Sequence, residues 1–577
     1  MEVKEKAFAK ATDYTRQQFL RGWVDVLPAA TGRSQTRKQY RTPLLVLTAV
    51  VGLVLLIACA NLANLLVARA AARRKEVSIR IALGAGRGRL IRQLLVESVL
   101  LSVAGGVCGL LLAMAMTRGL LAFIPTGSTP LALSPIPDWR VLAFNASVSL
   151  LTGLLFGLMP SLQATNADVA TTLKDQAGAV VGGGSVRMRK VLVAAQVTLS
   201  LLLLIGAGLF VRTLGNLHGA DPGFRLDQLI TFEVNPPMNG YKPERSWQFY
   251  RELLERLNAQ PGVFSATLAV VPVLDDNEWD SSVTLQGYAR KQGEDINPHM
   301  QYTEPGFFRT LGIPMTLGRD FTTADVEGAP KVAIVNEKFV KRFLNGLQPL
   351  GHKIGMGSDP GTKTDITIIG VVKDTKYENM RAEIPFELYL PGRQSEFVIG
   401  MTAYVRTSRP PDQMFTAVRR IVREIDPTVP VSNMRTLEEQ LDRSLSIERL
   451  VATLSAVFGG LATFLAAIGL YGVMAYSVTR RTQEIGIRMA LGANRGNVVW
   501  MVMREVLGLM AVGIAVGLPA ALALSKLVRS QLYGVEPNDP VVIAAAVVLV
   551  ATVAGLSGYG PGRRATRIQP MQALRWE

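Results

Sequence analysis

Cysteine and histidine are nearly absent. The 577 residues hold two cysteines, Cys59 and Cys108, and three histidines, His218, His299 and His352. Both cysteines lie inside apolar stretches, so no disulfide framework is implied, and no Cys-x-x-Cys occurs to hold a metal or a redox pair. The histidines are isolated and no His-Glu-x-x-His is present, which sets a zinc hydrolase aside. A nucleotide-binding loop is missing as well: Gly361-Thr-Lys-Thr lacks the upstream glycine and the Gly-Lys-Ser/Thr order of a P-loop. No Gly-x-Ser-x-Gly nucleophile elbow occurs either. The acidic group Asp275, Asp276, Glu278 and Asp280 lacks the glycine and closing glutamate of a calcium loop and reads as a solvated turn. These absences predict a protein that is not itself an enzyme, with no catalytic residues, cofactor or metal. Any use of ATP must come from another chain.

What the sequence does have is positive charge, unevenly spread. The net charge is +17. Residues 215–446 carry 26 basic and 30 acidic side chains, whereas the remainder carries 36 and 15. The excess therefore belongs to the part that also holds the long apolar runs. That is the pattern of short cytoplasmic loops in a membrane protein, not of a soluble nucleic-acid binder.

Seven runs approach or exceed the roughly 20 apolar residues that cross a bilayer: Pro43–Val67, Leu94–Ile124, Val141–Pro160, Val191–Val211, Leu450–Val478, Val498–Val528 and Val541–Leu556. The connection 68–93 has eight Lys/Arg, and 163–190, 479–497 and 561–577 have four each, against none in 125–138 and one in 529–539. The positive-inside rule places the first group and the C-terminus in the cytoplasm and the large 214–446 region outside. Residues 1–42 hold nine Lys/Arg yet fall on the outer side. The expectation is that an upstream span and most of an upstream outer domain are missing, residues 1–42 being the tail of that domain.

A charged stretch occurs twice, 408 residues apart. Glu76-Val-Ser-Ile-Arg-Ile-Ala-Leu-Gly84 matches Glu484-Ile-Gly-Ile-Arg-Met-Ala-Leu-Gly492, each copy lying between apolar runs. Glu76 and Arg80, like Glu484 and Arg488, stand four apart and can pair on one helical face. Gly84 and Gly492 follow leucine as helix stops. Two readings compete: a helix that caps the bundle against lipid headgroups, and a coupling helix that docks on a cytoplasmic partner. The shared Glu, Arg and Leu-Gly-Ala order favours the second. The repeat continues into the membrane, where Gly105-x-x-x-Gly109 matches Gly513-x-x-x-Gly517 and Glu97 matches Glu505. Small residues at this spacing let helices pack closely. A third correspondence, Pro160-Ser-Leu-Gln-Ala-Thr with Pro561-Gly-Arg-Arg-Ala-Thr, stands 401 apart, so one loop differs by seven residues.

The outer region reads as α+β. Ile230–Val234, Val263–Val271, Lys331–Val335, Ile366–Val372 and Val398–Val405 have strand character. Glu244–Leu257 and Gln413–Glu424 have helical periodicity, and Pro-Gly pairs at 261, 305 and 391 punctuate the run. About 230 residues suffice for a core in two lobes.

Taken with the closing Arg-Arg-Ala-Thr-Arg-Ile-Gln-Pro-Met-Gln-Ala-Leu-Arg-Trp-Glu577, the second copy of the charged stretch resembles the FtsX-like permease domain. Residues 214–446 resemble the periplasmic core domain of MacB-type permeases, through Pro261-Gly262-Val263, Val332-Ala-Ile-Val-Asn-Glu337 and Ile369-Gly-Val-Val-Lys-Asp374. Two permease domains in one chain, with Leu56-Ile-Ala-Cys-Ala-Asn-Leu-Ala-Asn64, resemble the duplicated permeases typical of acidobacterial genomes. The resemblance implies a transmembrane bundle of about seven spans plus an α+β periplasmic core domain. It divides the chain into residues 1–42, the tail of a truncated first periplasmic domain; 43–190, a first FtsX-like module; 191–213, a transmembrane helix; 214–446, the core domain; and 447–577, a second module.

The resemblance also implies an inner-membrane, multi-pass permease subunit of an ABC-type export or mechanotransmission system. Its partners would be membrane lipids, a separate cytoplasmic ABC ATPase and a periplasmic adaptor or enzyme, with no nucleic acid. ATPase coupling would fall to Glu76, Ile79, Arg80, Leu83 and Gly84 with Glu484, Ile487, Arg488, Leu491 and Gly492, and helix packing to Gly105, Gly109, Gly513 and Gly517. Duplication would let one chain supply both halves of what is otherwise a dimer. The alternative is a scaffold or sensor that controls a periplasmic cell-wall enzyme without transport.

Overall fold

A computed structural model describes residues 35–83, 86–123, 136–165 and 183–566, apart from 289, 291–293, 295, 360 and 396. The expected domain tail before residue 35, Gly84 and the closing motif after residue 566 lie outside the described residues. The chain divides into two compact units, a helical one and a sheet-based one.

The helical unit opens with α1 (Gln35–Ala82), α2 (Arg87–Phe123), α3 (Trp139–Thr165) and α4 (Gly183–Gly219). From α4 the chain enters the sheet unit, whose elements are β1 (Leu229–Val234), α5 (Pro243–Asn258), β2 (Val263–Ala269), β3 (Val283–Leu285), β4 (His299–Thr303), α6 (Phe307–Leu311) and β5 (Met315–Gly318). There follow β6 (Val332–Asn336), α7 (Glu337–Phe343), β7 (Lys353–Met356), β8 (Ile366–Val372), β9 (Glu387–Pro391), β10 (Met401–Thr407), α8 (Pro411–Ile425), β11 (Ser432–Thr436) and α9 (Leu437–Ser444). The chain returns to the helical unit in α10 (Ser446–Arg480), α11 (Thr482–Ala490), α12 (Arg495–Ser525) and α13 (Pro540–Ala565).

Among the described residues six helices are long and apolar enough to cross a membrane: Tyr40–Asn64, Gly88–Gly119, Arg189–Gly219, Ser446–Arg480, Arg495–Ser525 and Pro540–Ala565. The remaining expected span, Val141–Pro160, falls within α3. Polar side chains stitch the helices where lipid offers no hydrophobic drive between them. From α4, Thr198 Oγ1 donates to the Gly513 carbonyl on α12 at 3.0 Å and Ser200 Oγ donates to the Ala462 carbonyl on α10 at 3.0 Å. Asp539 accepts from the Val541 and Val542 amides that open α13 and binds Arg212 of α4 at 2.5 Å.

The sheet unit is one mixed sheet in the order β11-β1-β10-β2-β4-β9-β6-β8-β7-β3, with β5 on β8. The β4–β9 and β6–β8 pairs are parallel and the others antiparallel. The β2–β4 ladder is short, registering Ala269 with Thr303 and flanked by Val270 N to the Tyr302 carbonyl at 3.0 Å and Glu304 N to the Leu268 carbonyl at 2.9 Å, and the two sides of that joint have separate cores. One core packs Phe232, Leu268 and Val405 under Phe249, Leu253 and Leu257 of α5 and Met414, Val418, Ile421 and Val422 of α8. The spacing of those α8 residues is one helical face, and Pro411 opens the helix where its missing N–H is harmless. The other core packs Val335, Ile368 and Leu388 under Phe339 and Phe343 of α7.

The sequence cues of the core domain have a local physical meaning. Asn336 ends β6 and caps α7, its Oδ1 accepting from Phe339 N at 3.0 Å and from Glu387 N at 2.9 Å. Asp374, at the end of the second cue, accepts from Lys338 N at 2.8 Å, so both motifs converge on the first turn of α7. Between them β5 and β8 approach so closely that a Cβ at Gly318, where φ is +77°, would overlap the Ile369 carbonyl.

Candidate coupling surface

The two copies of the charged repeat are built differently. In the second, α10 stops at Arg480 and α11 starts afresh at Thr482. Thr479 and Thr482 each donate a hydroxyl back into the preceding turn, Thr482 to the Thr479 carbonyl at 2.7 Å, and Arg481 N is shared between the Ser477 and Val478 carbonyls. In the first copy the segment matching Thr479–Thr482 is Ala71-Ala72-Arg73-Arg74, all good helix formers without a hydroxyl, and α1 runs unbroken to Ala82.

Along α11, Glu484 and Arg488 pair at 2.7 Å. Both are about half exposed, and such a pair contributes only about 0.3–0.5 kcal/mol, so it shapes the surface more than it stabilises the helix. Ile485 points inward and packs with Val478, Val498 and Val502. Ile487 and Leu491 point outward, 42% and 83% exposed. Gly492, at φ +90°, closes the helix, with Ala493 N donating to the Arg488 carbonyl at 3.0 Å. In the first copy Arg80 and Leu83 are exposed, Leu83 to 82%. Glu76 and Ile79 lie on α1, but their side chains are outside the described set, as is Gly84. Equivalent leucines thus stand uncovered beside equivalent arginines in both copies.

Behind α11, Glu505 of α12 bonds Lys190 of α4 at 2.6 Å and lies 3.8 Å from Arg481 at the elbow between α10 and α11. One carboxylate thereby ties two helices to the base of the exposed segment. Arg189 stacks over the Tyr476 ring at 4.0 Å on the same side. The sequence singled out Glu505 by its repeat partner Glu97, but its two cations are distant in sequence and carried no signal.

The four packing glycines separate by copy. A Cβ at Gly513 would stand 2.5 Å from Val197 Cγ1, and one at Gly517 3.2 Å from Leu201 Cδ2, so α12 rests directly on α4. At Gly105 and Gly109 nothing lies within 4 Å among the described residues. The close approach in the first copy comes at Gly106 instead, against Ser149 of α3.

The core domain carries buried carboxyls that sequence reasoning missed. Glu387, fully enclosed on β9, accepts from Tyr389 Oη at 2.7 Å and from Thr375 Oγ1 at 3.1 Å. Burial pushes its carboxyl up to about 8, against the smaller pull of the two hydroxyls. Glu304 pairs with Arg393 at 3.1 Å, and burial raises it too. No metal-binding group of three or more His, Cys, Asp or Glu occurs among the described residues.

The FtsX-like permease C-terminal family matches twice, over residues 48–169 and 456–570, and the MacB-like periplasmic core domain matches residues 193–428. The chain belongs to the FtsX/MacB-type ABC permeases. The two FtsX-like matches begin 408 residues apart and end 401 apart, the same offsets as the repeat. Among similar permeases, YknZ of Bacillus subtilis, an uncharacterized ABC transporter permease, is 23% identical over 50% of this chain and 72% of its own length. The macrolide export ATP-binding/permease protein MacB of Hahella chejuensis is 26% identical over 56% of this chain and 47% of its own. The chain thus spans about half the length of the MacB relatives that it matches. The periplasmic region of MacB from Actinobacillus actinomycetemcomitans aligns over 39% of this chain and 94% of its own, at 14% identity and a TM-score of 0.27. As an FtsX/MacB-type permease the chain combines membrane-spanning helices with a mixed-sheet periplasmic core domain.

Proposed function

We propose that this chain is the inner-membrane permease subunit of an ABC-type export or mechanotransmission system, relaying the motion of a separate cytoplasmic ATPase to its periplasmic domain. The observation that carries this reading is the equivalent exposure of Leu83 with Arg80 and of Leu491 with Arg488. An exposed aliphatic beside a basic residue, repeated on two segments, fits docking onto a protein better than capping by lipid headgroups. The docking set is Glu76, Ile79, Arg80, Leu83 and Gly84 with their counterparts Glu484, Ile487, Arg488, Leu491 and Gly492. The C-terminus and both docking segments face the cytoplasm, as the positive-inside rule requires. Force enters at α11, passes through the elbow at Arg481 and the Glu505 junction, and reaches the core domain along α4 and α10, the helices that flank it in the chain. MacB relatives are exporters that carry both ATP-binding and permease functions. The core domain here is the part that would meet a periplasmic adaptor or enzyme.

The test is Arg80→Glu combined with Arg488→Glu in the full chain. The expected result is loss of ATPase association by more than about tenfold, the scale of removing interface hot spots, with unchanged membrane insertion. Unchanged association would remove the docking role and leave the lipid-capping reading.

A further inference from the structure

The Leu56–Asn64 motif of α1 has no part in the coupling surface, yet its asparagines are buried. Asn61 Nδ2 donates to the Leu465 carbonyl on α10 at 2.6 Å, and Gln196 Nε2 of α4 donates to Asn61 Oδ1 at 3.0 Å and lies 3.4 Å from the Ile57 carbonyl. Around this bond Val50, Val54 and Ile57 of α1 share one cluster with Phe458, Ala462 and Leu465 of α10 and with Leu199 and Leu203 of α4. Val50 and Phe458, Val54 and Ala462, and Ile57 and Leu465 are equivalent positions of the repeat, each pair 408 residues apart. Equivalent positions gather in one cluster where a two-fold axis relates the halves, and with the Asn61–Leu465 bond this sets α1 beside α10 as in a symmetric dimer.

The next position along this seam breaks the symmetry. The residue equivalent to Asn61 is Gly469. A Cβ at Gly469 would overlap Asn61 Oδ1 and stand 2.5 Å from Gln196 Oε1. The Asn61 and Gln196 amides together occupy the space that the glycine leaves. One turn on, the repeat again sets an asparagine, Asn64, against a glycine, Gly472, in the matching position.

We propose that Asn61 and Gly469 are a key and slot that make the two halves of one chain each other's partner and select against pairing of like halves from two chains. Two α1 helices would bring a second asparagine to a position where not even a Cβ has room. Two α10 helices would leave a hole where Asn61 sits. Both mismatched pairings are disfavoured, which is how specificity is built at an interface between near-identical surfaces. The partner for this surface is therefore the other half of the same chain. The inference rests on the reading of the chain as two paired permease halves and is independent of what binds at α11.

The test uses the full chain in native membranes with Cys59→Ala and Cys108→Ala, carrying Val54→Cys and Ala462→Cys across the seam. Oxidation is expected to give a bridge within the monomer. Gly469→Asn is expected to lower its yield about tenfold, the scale of overpacking a tight contact, and Asn61→Gly to lower it less. Gly472→Asn, where nothing among the described residues lies within 4 Å of the added Cβ, serves as the folding control and should leave the yield unchanged. A yield insensitive to Gly469→Asn, an equal loss with Gly472→Asn, or a predominantly dimer-mass bridge would overturn the key and slot while leaving the halves paired. No bridge of either mass would overturn the paired-halves reading beneath it.

Discussion

At the scale of single residues, Glu387 is the clearest case of a side chain held against its solution chemistry. Its carboxyl sits at about 8 in the folded domain against an ordinary value of 4.5, chiefly because burial disfavours the charge, with Asp374 adding a smaller push. The folded pKa is raised, so the neutral acid's contribution to stability is complete below 4.5 and is lost as pH climbs through about 8. Glu387→Gln is therefore expected to flatten the dependence of the core domain's unfolding temperature on pH between 5 and 8. Thermal unfolding of the full chain in detergent, followed by near-ultraviolet circular dichroism, measures it. Equal slopes in the two proteins would mean that Glu387 does not titrate in this range.

At the scale of elements, the repeat supplies its own control. Gly513 rests on α4 with no room for a side chain, whereas its equivalent Gly105 has no neighbour within 4 Å among the described residues. Gly513→Val should destabilise the bundle by roughly 1–3 kcal/mol through overpacking, and Gly105→Val should stay within about 0.5 kcal/mol. Detergent melting curves of the two variants separate these outcomes, and equal losses would contradict direct packing of α12 on α4. The helix pair α1 and α11 makes a related point about sequence. The same Glu-x-x-x-Arg repeat ends a continuous helix in one copy and forms a separate one in the other, because Ala71 and Arg74 stand in the first where the back-bonding Thr479 and Thr482 stand in the second. The identical residues were legible; the elbow depended on their neighbours. The helix α13 similarly runs through Pro561 to Ala565, beyond the expected end at Leu556, since a proline inside a bundle is tolerated where neighbours cover the freed groups.

At the scale of the whole molecule, the apolar spans and the α+β character of the core domain were readable because hydrophobic length and periodicity are local properties. The strands expected at Ile230–Val234, Ile366–Val372 and Lys331–Val335 lie where β1, β8 and β6 form, and α8 covers Gln413–Glu424. The strands that went unread are polar or short: β4 reads His-Met-Gln-Tyr-Thr, β3 has three residues, and β9 starts on the buried Glu387 and ends on a proline. Of the candidate surface, the Glu484–Arg488 pair and the glycine stop were legible from spacing. The Lys190–Glu505–Arg481 junction and the Asn61 contact were not, because both join residues brought together only by the folded bundle.

The central claim is that two equivalent segments transmit the work of an ATPase. Its most direct measurement is affinity purification of the chain from its native membranes, with the copurifying proteins identified and ATP hydrolysis assayed on the complex. An ABC ATPase is expected in stoichiometric amount, lost together with the hydrolysis when Arg80→Glu and Arg488→Glu are combined. Reproducible absence of any ATPase from the intact chain's complex would contradict it.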